Sequence, residues 1–510
     1  MNTERAATPS ILPTHVRTLV VGAGFAGLAI AARLLRADRS ADVLVIERAA
    51  DVGGTWRDNT YPGCACDVPT SLYSFSFAPS PDWSHTFARQ PEIHAYLRKT
   101  AAENGIRDRL VTGCELVSAD WDEATARWRV RTSLGELTAQ VLVAATGALS
   151  TPRLPDVPGI GDFGGTMFHS ATWDHDCDLR GKRVAVVGTG ASAVQFVPEI
   201  VDAAERVTVF QRTPAWVIPR PDRTLTRVEK WLYRRIPLTQ KAVRASVYAY
   251  RETYVVGMTK APQVLKASEL MARAHLRRQV PGRDLRRKLT PGYRITCKRV
   301  LLSNDWLRTL ARPDVEVVDS GLTRVTERGV VDGSGAERVV DVIIFATGFS
   351  PTEPPVASQL RGRDGRTLAA HWSGSPAAYL GTTIAGFPNL FMMYGPNTNL
   401  GHSSIVYMLE SQAAYIDGAL AHLASGDAVG LEVRPEVQAR YNTSISGLLR
   451  RTVWNTGGCA SWYLDSNGRN SVMWPTFTFR FRARTKRFDA ENYQSVGIGA
   501  ADDAAEAAWS

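Results

Sequence analysis

The spacing of apolar positions divides the chain into two runs of the same design. Thr18–Val21 is a short apolar run that leads into Gly22-Ala-Gly24-Phe-Ala-Gly27 and then LAIAARLL, whose spacing predicts a helix packed on a sheet. VLVIER comes next and predicts a second buried strand. From Cys114 to Ala145 the pattern changes to alternating strands with turn breaks, WDEATARWRV and then ELTAQVLVAATG. It predicts a small antiparallel excursion before the chain returns to the sheet. Thr151-Pro-Arg-Leu-Pro-Asp-Val-Pro is a proline-rich crossover and marks a domain boundary.

Beyond the boundary the pattern repeats as KRVAVVG, then Gly188-Thr-Gly190-Ala-Ser192-Ala193, then AVQFVPEIV, then RVTVFQR. Residues of about 224–290 have helical spacing and few β-branched runs, which predicts helices inserted into the second unit. VVDVIIFATGF closes that unit, and the segment from Asn389 onward returns to the first. The expected fold is α/β, with two Rossmann-like dinucleotide-binding domains. The first is discontinuous (1–147 and 346–510), and the second (148–345) carries the helical insertion. The tail after Asn492, rich in Ala, Asp and Gly, is expected to fray.

Composition adds less than charge. With 44% hydrophobic and 22% charged residues the chain is ordinary globular material. It lacks a basic start followed by an apolar run, and lacks any stretch of roughly 18 uncharged apolar residues, so a cytoplasmic protein without a transmembrane segment is expected. The six cysteines are scattered and expected to be reduced. Cys64-Ala-Cys66 has no second ligand pair, so no metal is expected. The net charge of +10 is concentrated between Arg220 and Arg299, where 21 Lys and Arg face five acids. Attraction of a polyanionic cofactor, a membrane or nucleic-acid patch, and a solvated helical face compete to explain it. No nucleic-acid motif accompanies the excess, so nucleic acid is not expected as a partner. A solvated helical face is preferred over peripheral membrane contact.

The two glycine turns carry the first chemistry. In G-x-G-x-x-G the glycines permit a tight turn and close backbone approach to a pyrophosphate, while the helix N-terminus presents N–H groups to the anion. Gly22, Gly24 and Gly27 come after a strand and open a helix, and Glu47 ends the next strand, where a carboxylate accepts hydrogen bonds from a ribose. In the second copy Gly188 and Gly190 are followed by Ser192 and Ala193, and the acid is replaced by Gln211-Arg212-Thr213. Arg212 suits a 2′-phosphate, so the second nucleotide is expected to be NADPH. A flavin on the first fold and NADPH on the second imply a hydride relay. Two Ala-Thr-Gly tracts, Ala145–Gly147 and Ala346–Gly348, stand where the chain crosses between folds.

Between the folds lies Phe163-Gly-Gly165-Thr-Met-Phe-His169-Ser-Ala-Thr-Trp173-Asp174, that is F-x-G-x-x-x-H-x-x-x-W-D. This string resembles the fingerprint of the Baeyer–Villiger monooxygenases; the related flavin-containing monooxygenases usually end it in Tyr or Phe. Further tracts resemble the family in the same order. GGTWRDNTYPGCACDVPTSLYSFSF, with Trp56, Tyr61 and Asp67, is similar to the segment around the flavin. CKRVLLSND is similar to the segment that brings a Lys–Arg pair, here Lys298 and Arg299, to the flavin face. Gly395–Gln412 is similar to the tract closing the FAD site. CASWYLDSNG resembles a mobile stretch whose tryptophan, here Trp462, meets the nicotinamide cofactor.

The resemblance implies an FAD-containing, NADPH- and O2-dependent oxygenase that captures oxygen as a flavin C4a-peroxide and inserts one atom beside a ketone carbonyl. The products are esters or lactones, with sulfoxidation as a side activity. Arg299, which cannot realistically lose its proton, is implied as the catalytic cation for the anionic peroxide and the later oxyanion. Asp67 is implied as its orienter. Lys298 is expected to join Arg212 at the 2′-phosphate. Phe163, Gly165, His169 and Trp173 are implied to couple domain movement to cofactor binding, with hinges near 148–155 and 337–349. Trp56, Tyr61, Tyr73 and Phe75 either wall the flavin or fill the core, the commoner role for aromatics. A hydrophobic ketone is the expected partner of a monomer or homodimer.

Two other readings stay open. A flavin-containing N- or S-oxygenase works through a protonated peroxide, which a cation holding it anionic would hinder. A flavin-dependent NADPH reductase needs a redox cysteine pair, and Cys64-Ala-Cys66 is too tight for one. After Trp462 the chain runs YLDSNGRN where many family members carry a glycine-rich GANxPGK string, so this loop is expected to sit differently.

Overall fold

The computed structural model describes residues 12–426 and 428–497. Strand β1 (His15–Val21) is buried along most of its length, on both faces. A strand without a polar face must be covered by helices on both sides, which is the setting of a parallel sheet. β1 pairs in parallel with β2 (Val43–Glu47), which pairs with β3 (Leu110–Thr112). β4 (Leu116–Asp122), β5 (Arg127–Thr132) and β6 (Gly135–Ala144) form the antiparallel excursion. β5 buries every second residue, as a strand with one solvated face does. β6 then runs parallel to β1, with Thr18 opposite Val141.

The second sheet is built from β7 (Thr166–His169), β8 (Arg183–Val187), β9 (Arg206–Phe210), β10 (Val315–Val318) and β11 (Val342–Phe345), in the order β10-β9-β8-β11-β7. All of its pairings are parallel. The chain then returns to the first sheet, adding β12 (Leu360–Arg361) beside β4 and β13 (Leu390–Met392) beside β6. The second sheet thus interrupts the first. Where the chain crosses, the two connections run side by side: Pro152 bridges Phe349, and Arg153 N–H donates to the Gly348 carbonyl at 2.9 Å.

Between the sheets' segments, Arg227–Arg235, Pro237–Thr259, Leu265–Gln279 and Arg283–Lys288 are helices. A solvated face accounts for only part of their basic excess. Arg244 Nη1 donates inward to the carbonyls of Ser71 (3.0 Å) and Ser74 (2.9 Å), and Arg251 Nη2 donates to the Asp67 carbonyl (3.3 Å). Arg220, just before the insertion, reaches the Cys66 carbonyl at 3.2 Å. These cations therefore bind the backbone of the loop that carries Asp67.

Two expectations are corrected. The chain does not fray directly after Asn492: Tyr493–Val496 pairs with Gly430–Val433, and buried Tyr493 bonds the hydroxyls of Thr383 and Tyr415. Residues 498–510, the remainder of the tail expected to fray, lie outside the described residues, as do residues 1–11. Nor are all the cysteines reduced. Cys64, Cys66, Cys114 and Cys177 are free thiols, but Cys297 and Cys459 form a disulfide with Cα atoms 6.2 Å apart. Their separation of 162 residues hid the pairing from any local pattern. Among the described residues, no helix is long and apolar enough to cross a membrane.

Candidate active site

Both glycine turns stand at the C-terminal ends of parallel strands, where a doubly wound sheet opens a crevice. Their geometries match. Gly22 has φ +104°, and a Cβ on it would sit 2.7 Å from the Ala145 carbonyl oxygen; Gly188 has φ +114°, with the Ala346 carbonyl oxygen at 2.4 Å. Each first glycine thus packs against the start of one Ala-Thr-Gly tract, leaving no space for a side chain. This is the cradle that close approach of a pyrophosphate requires.

The two turns face one continuous cleft of about 1110 Å³. The first fold lines it with Gly22, Gly24, Glu47, Trp56 and Asp67. The second lines it with Gly188, Gly190, Ser192 and Arg212, followed by Lys298 and Arg299. Trp462 closes one side, and Asn399, Leu400, Ser403 and Leu409 come from the Gly395–Gln412 tract. Gly27 lies off the cleft, beneath the turn, where a Cβ would collide with the Gly22 carbonyl oxygen at 1.8 Å. Glu47 is buried at the end of β2, accepting from Ala23 N–H at 2.8 Å and from Arg57 Nη1 at 2.9 Å. That carboxylate is anchored inside the glycine turn and lines the cleft.

Arg299 and Asp67 meet in a bidentate pair, Nε to Oδ2 at 2.6 Å and Nη2 to Oδ1 at 2.5 Å. Burial would raise the Asp67 carboxyl, but the Arg299 charge and its hydrogen bonds hold it below the usual value. The Asp67 charge in turn raises the guanidinium further, so Arg299 stays protonated at any working pH. Nη1 makes no hydrogen bond among the described residues, and 38% of the side chain remains accessible on a cleft wall. Asp67 fixes the fork, and free N–H donors are left for a ligand. Burial, and then the charge of Arg212, lower the Lys298 ammonium. Two cations placed together, neither in an ion pair among the described residues, suit a dianion.

The four fingerprint residues lie off the cleft. Gly165 approaches the Asp341 carbonyl so closely that a Cβ would stand 2.5 Å from it, and Phe163 packs in the core of the second sheet. His169 ends β7, buried; its Nδ1 accepts from Ala171 N–H at 3.1 Å, and its ring meets Phe349 edge-on at 6.0 Å. Burial lowers its pKa to about 4. Trp173 packs on Phe196, one turn of helix along from the second glycine turn, with ring centroids 5.1 Å apart. The fingerprint therefore touches both a crossover and the helix Ala191–Ile200.

Several contacts were not anticipated. Gln195, on that helix, accepts from Tyr61 Oη (3.1 Å) and Ala65 N–H (3.2 Å) and donates to the Ala65 carbonyl (2.9 Å). One polar residue inside the apolar run AVQFV was the available signal. Arg220 and Arg251, on the loop carbonyls, had only the charge excess as a signal. Tyr463 is buried beside the charges of Arg299 and Asp67, and burial pushes its phenol up to about 12. Of the four aromatics in question, Phe75 is fully buried core, while Trp56, Tyr61 and Tyr73 reach the cleft. The YLDSNGRN stretch closes on itself: Asp465 N–H donates to the Arg469 carbonyl at 2.9 Å, and Leu464 bridges Asn470.

The family profile described as pyridine nucleotide-disulphide oxidoreductase matches residues 19–272. A Baeyer-Villiger monooxygenase from Pseudomonas aeruginosa is 47% identical over 499 residues, covering 96% of this chain and 94% of that protein. Among solved structures, an oxidized steroid monooxygenase bound to NADP is 31% identical with a TM-score of 0.82, covering 95% of this chain and all of that one. OTEMO in complex with FAD and NADP is 27% identical with a TM-score of 0.84, covering 92% and 97%. With near-complete coverage at this identity, the chain belongs to the Baeyer–Villiger monooxygenase family.

Proposed function

We propose that this enzyme uses NADPH, O2 and bound FAD to insert one oxygen atom beside the carbonyl of a hydrophobic ketone, giving an ester or lactone, with sulfoxidation as a side reaction. The observation that carries this reading is the Arg299–Asp67 fork on a wall shared by two dinucleotide cradles. The division is 1–147 with 346–510 for FAD and 148–345 for NADPH, and the paired crossovers near 148–155 and 337–349 act as the hinge. Bound FAD, reduced by NADPH, supplies activated oxygen.

The chain's own residues do the rest. Glu47 takes the ribose of FAD, with Gly22, Gly24 and Gly27 making room for its pyrophosphate and Trp56 bordering the flavin. Gly188, Gly190 and Ser192 would do the same for NADPH, and Arg212 and Lys298 would hold its 2′-phosphate. Arg299 presents a permanent positive charge to oxygen as it gains electron density, then to the substrate carbonyl oxygen as it becomes an oxyanion. Asp67 keeps the guanidinium in one orientation without withdrawing its proton, because its own carboxyl stays ionised. Trp462, on the cleft wall, would border the nicotinamide and help exclude water. Phe163, Gly165, His169 and Trp173 transmit nucleotide binding to the crossover. Leu301, Leu400, Ile405 and Leu409 give the cleft an apolar lining suited to a hydrophobic ketone.

A panel of cyclic and linear ketones, tertiary amines and thioethers, supplied with NADPH and air and analysed by mass spectrometry, tests this reading. Esters or lactones are expected. Oxygenation of amines alone, or NADPH oxidation without any oxygenated product, would overturn it.

A further inference from the structure

We propose that the Cys297–Cys459 disulfide holds Tyr463 beside the Arg299–Asp67 pair and, through it, Trp462 on the cleft wall, and so sets how tightly the enzyme holds NADP+. The inference rests on the reading of Trp462 as a nicotinamide contact. Cys297 directly precedes Lys298 and Arg299, and Cys459 stands three residues before Trp462. The bond therefore joins the segment bearing the catalytic cation to the loop that closes the nucleotide side of the cleft. Neither cysteine lines the cleft, whereas Lys298, Arg299, Ala460, Ser461 and Trp462 all do. Cys297 is completely buried among Trp216, Tyr293, Ile295 and Val453, with Cys459 at the edge of that cluster. The sulfurs thus lie behind the cleft wall, and we take the bond as a brace rather than as a redox partner in turnover.

The loop needs such a brace. Among the described residues, 458–462 make no hydrogen bond outside the loop itself; the last external one is Arg294 N–H to the Gly457 carbonyl at 2.9 Å. The next are local, Leu464 N–H to the Ser461 carbonyl and Tyr463 N–H to Ser461 Oγ. Gly457 is drawn so close that a Cβ would lie 2.7 Å from Cys297 Cβ and 2.8 Å from its Sγ. Downstream, Tyr463 is buried beside Arg299 while Trp462 is 39% exposed and meets the Tyr463 ring edge-on at 4.5 Å. The covalent bond is the loop's firmest attachment between Gly457 and buried Tyr463. Without it, ordering of Trp462 would fall to NADP+ binding.

Reduction by a dithiol breaks the S–S bond, gives each cysteine one electron and one proton, and leaves the reagent as its own disulfide. One equivalent of hydrogen peroxide restores the bond, taking the two electrons and two protons and leaving as two waters. Peptide mapping of the air-exposed holoenzyme without reductant should yield the 297 and 459 peptides linked. Dithiothreitol should release them as two alkylatable thiols and raise the NADP+ Kd by about two- to tenfold, the cost of ordering one side chain. FAD content and the limiting rate of flavin reduction should hold, placing the effect in KM for NADPH rather than kcat. The double variant Cys297→Ser/Cys459→Ser should match the reduced enzyme and ignore dithiothreitol, and peroxide should restore tight binding only to wild type. Free alkylation of both cysteines after peroxide treatment, or equal Kd values for linked and reduced enzyme, would overturn the proposal. Trp462→Ala separates the two failures. A raised Kd there with no effect of reduction sinks the brace alone, whereas an unchanged Kd with the link intact sinks the Trp462 reading and the brace with it.

Discussion

Arg212 stands exposed at the end of β9 with no ion-pair partner among the described residues, and its charge lowers the nearby Lys298 ammonium after burial has already done so. Two cations arranged to repel one another gain most when a dianion enters. Arg212→Gln removes one charge-assisted contact to a 2′-phosphate and relieves Lys298 at the same time, so its cost should approach that of one such bond, about 1.5–3 kcal/mol. This corresponds to an NADPH Kd raised by roughly 10- to 150-fold. NADH has no phosphate there and should be affected by no more than about twofold. Anaerobic stopped-flow reduction of the flavin, at varied NADPH and NADH, gives both dissociation constants and both limiting rates. Equal weakening of the two nucleotides would refute the placement of the phosphate, as would an unaltered NADPH constant.

Three further variants probe other parts of the site. Gln195→Leu removes three hydrogen bonds from helix to flavin loop and should lower stability by about 1–3 kcal/mol, seen as a lower Tm and weaker FAD retention. Gly188→Ala places a Cβ 2.4 Å from the Ala346 carbonyl at φ +114° and should abolish NADPH binding while FAD stays bound; normal reduction by NADPH would contradict this. His169 has a folded pKa of about 4, below its unfolded value near 6.5, so the stability it contributes is complete above 6.5 and is lost as pH falls toward 4. That loss is up to about 3 kcal/mol, and His169→Gln should flatten the acid slope of Tm over that window. An unchanged slope would count against it.

How much could be read from the chain depends on distance along it. The glycine turns, the alternation of Arg127–Thr132 and the helical spacing of the insertion are local patterns, because backbone geometry repeats within a few residues. Gln195 on Ala65, Arg251 on Asp67 and Cys297 on Cys459 join positions 130, 184 and 162 residues apart, and no spacing encodes such meetings. Arg299 and Asp67, 232 residues apart, could be paired beforehand only through family resemblance. The basic segment was read only in part for a related reason: composition counts charges but not their direction, and while many of its cations are exposed, Arg244 and Arg251 point inward at carbonyl oxygens.

The central claim is that Arg299, held by Asp67, directs oxygen onto a carbonyl without taking part in hydride transfer. It is tested most directly by reducing wild type and Arg299→Ala with one equivalent of NADPH anaerobically, then admitting ¹⁸O2 together with a cyclic ketone. Wild type should yield lactone carrying one ¹⁸O atom, while Arg299→Ala accepts hydride at a comparable rate and forms no labelled lactone. Labelled lactone from Arg299→Ala, or none from wild type with any ketone, would contradict the account.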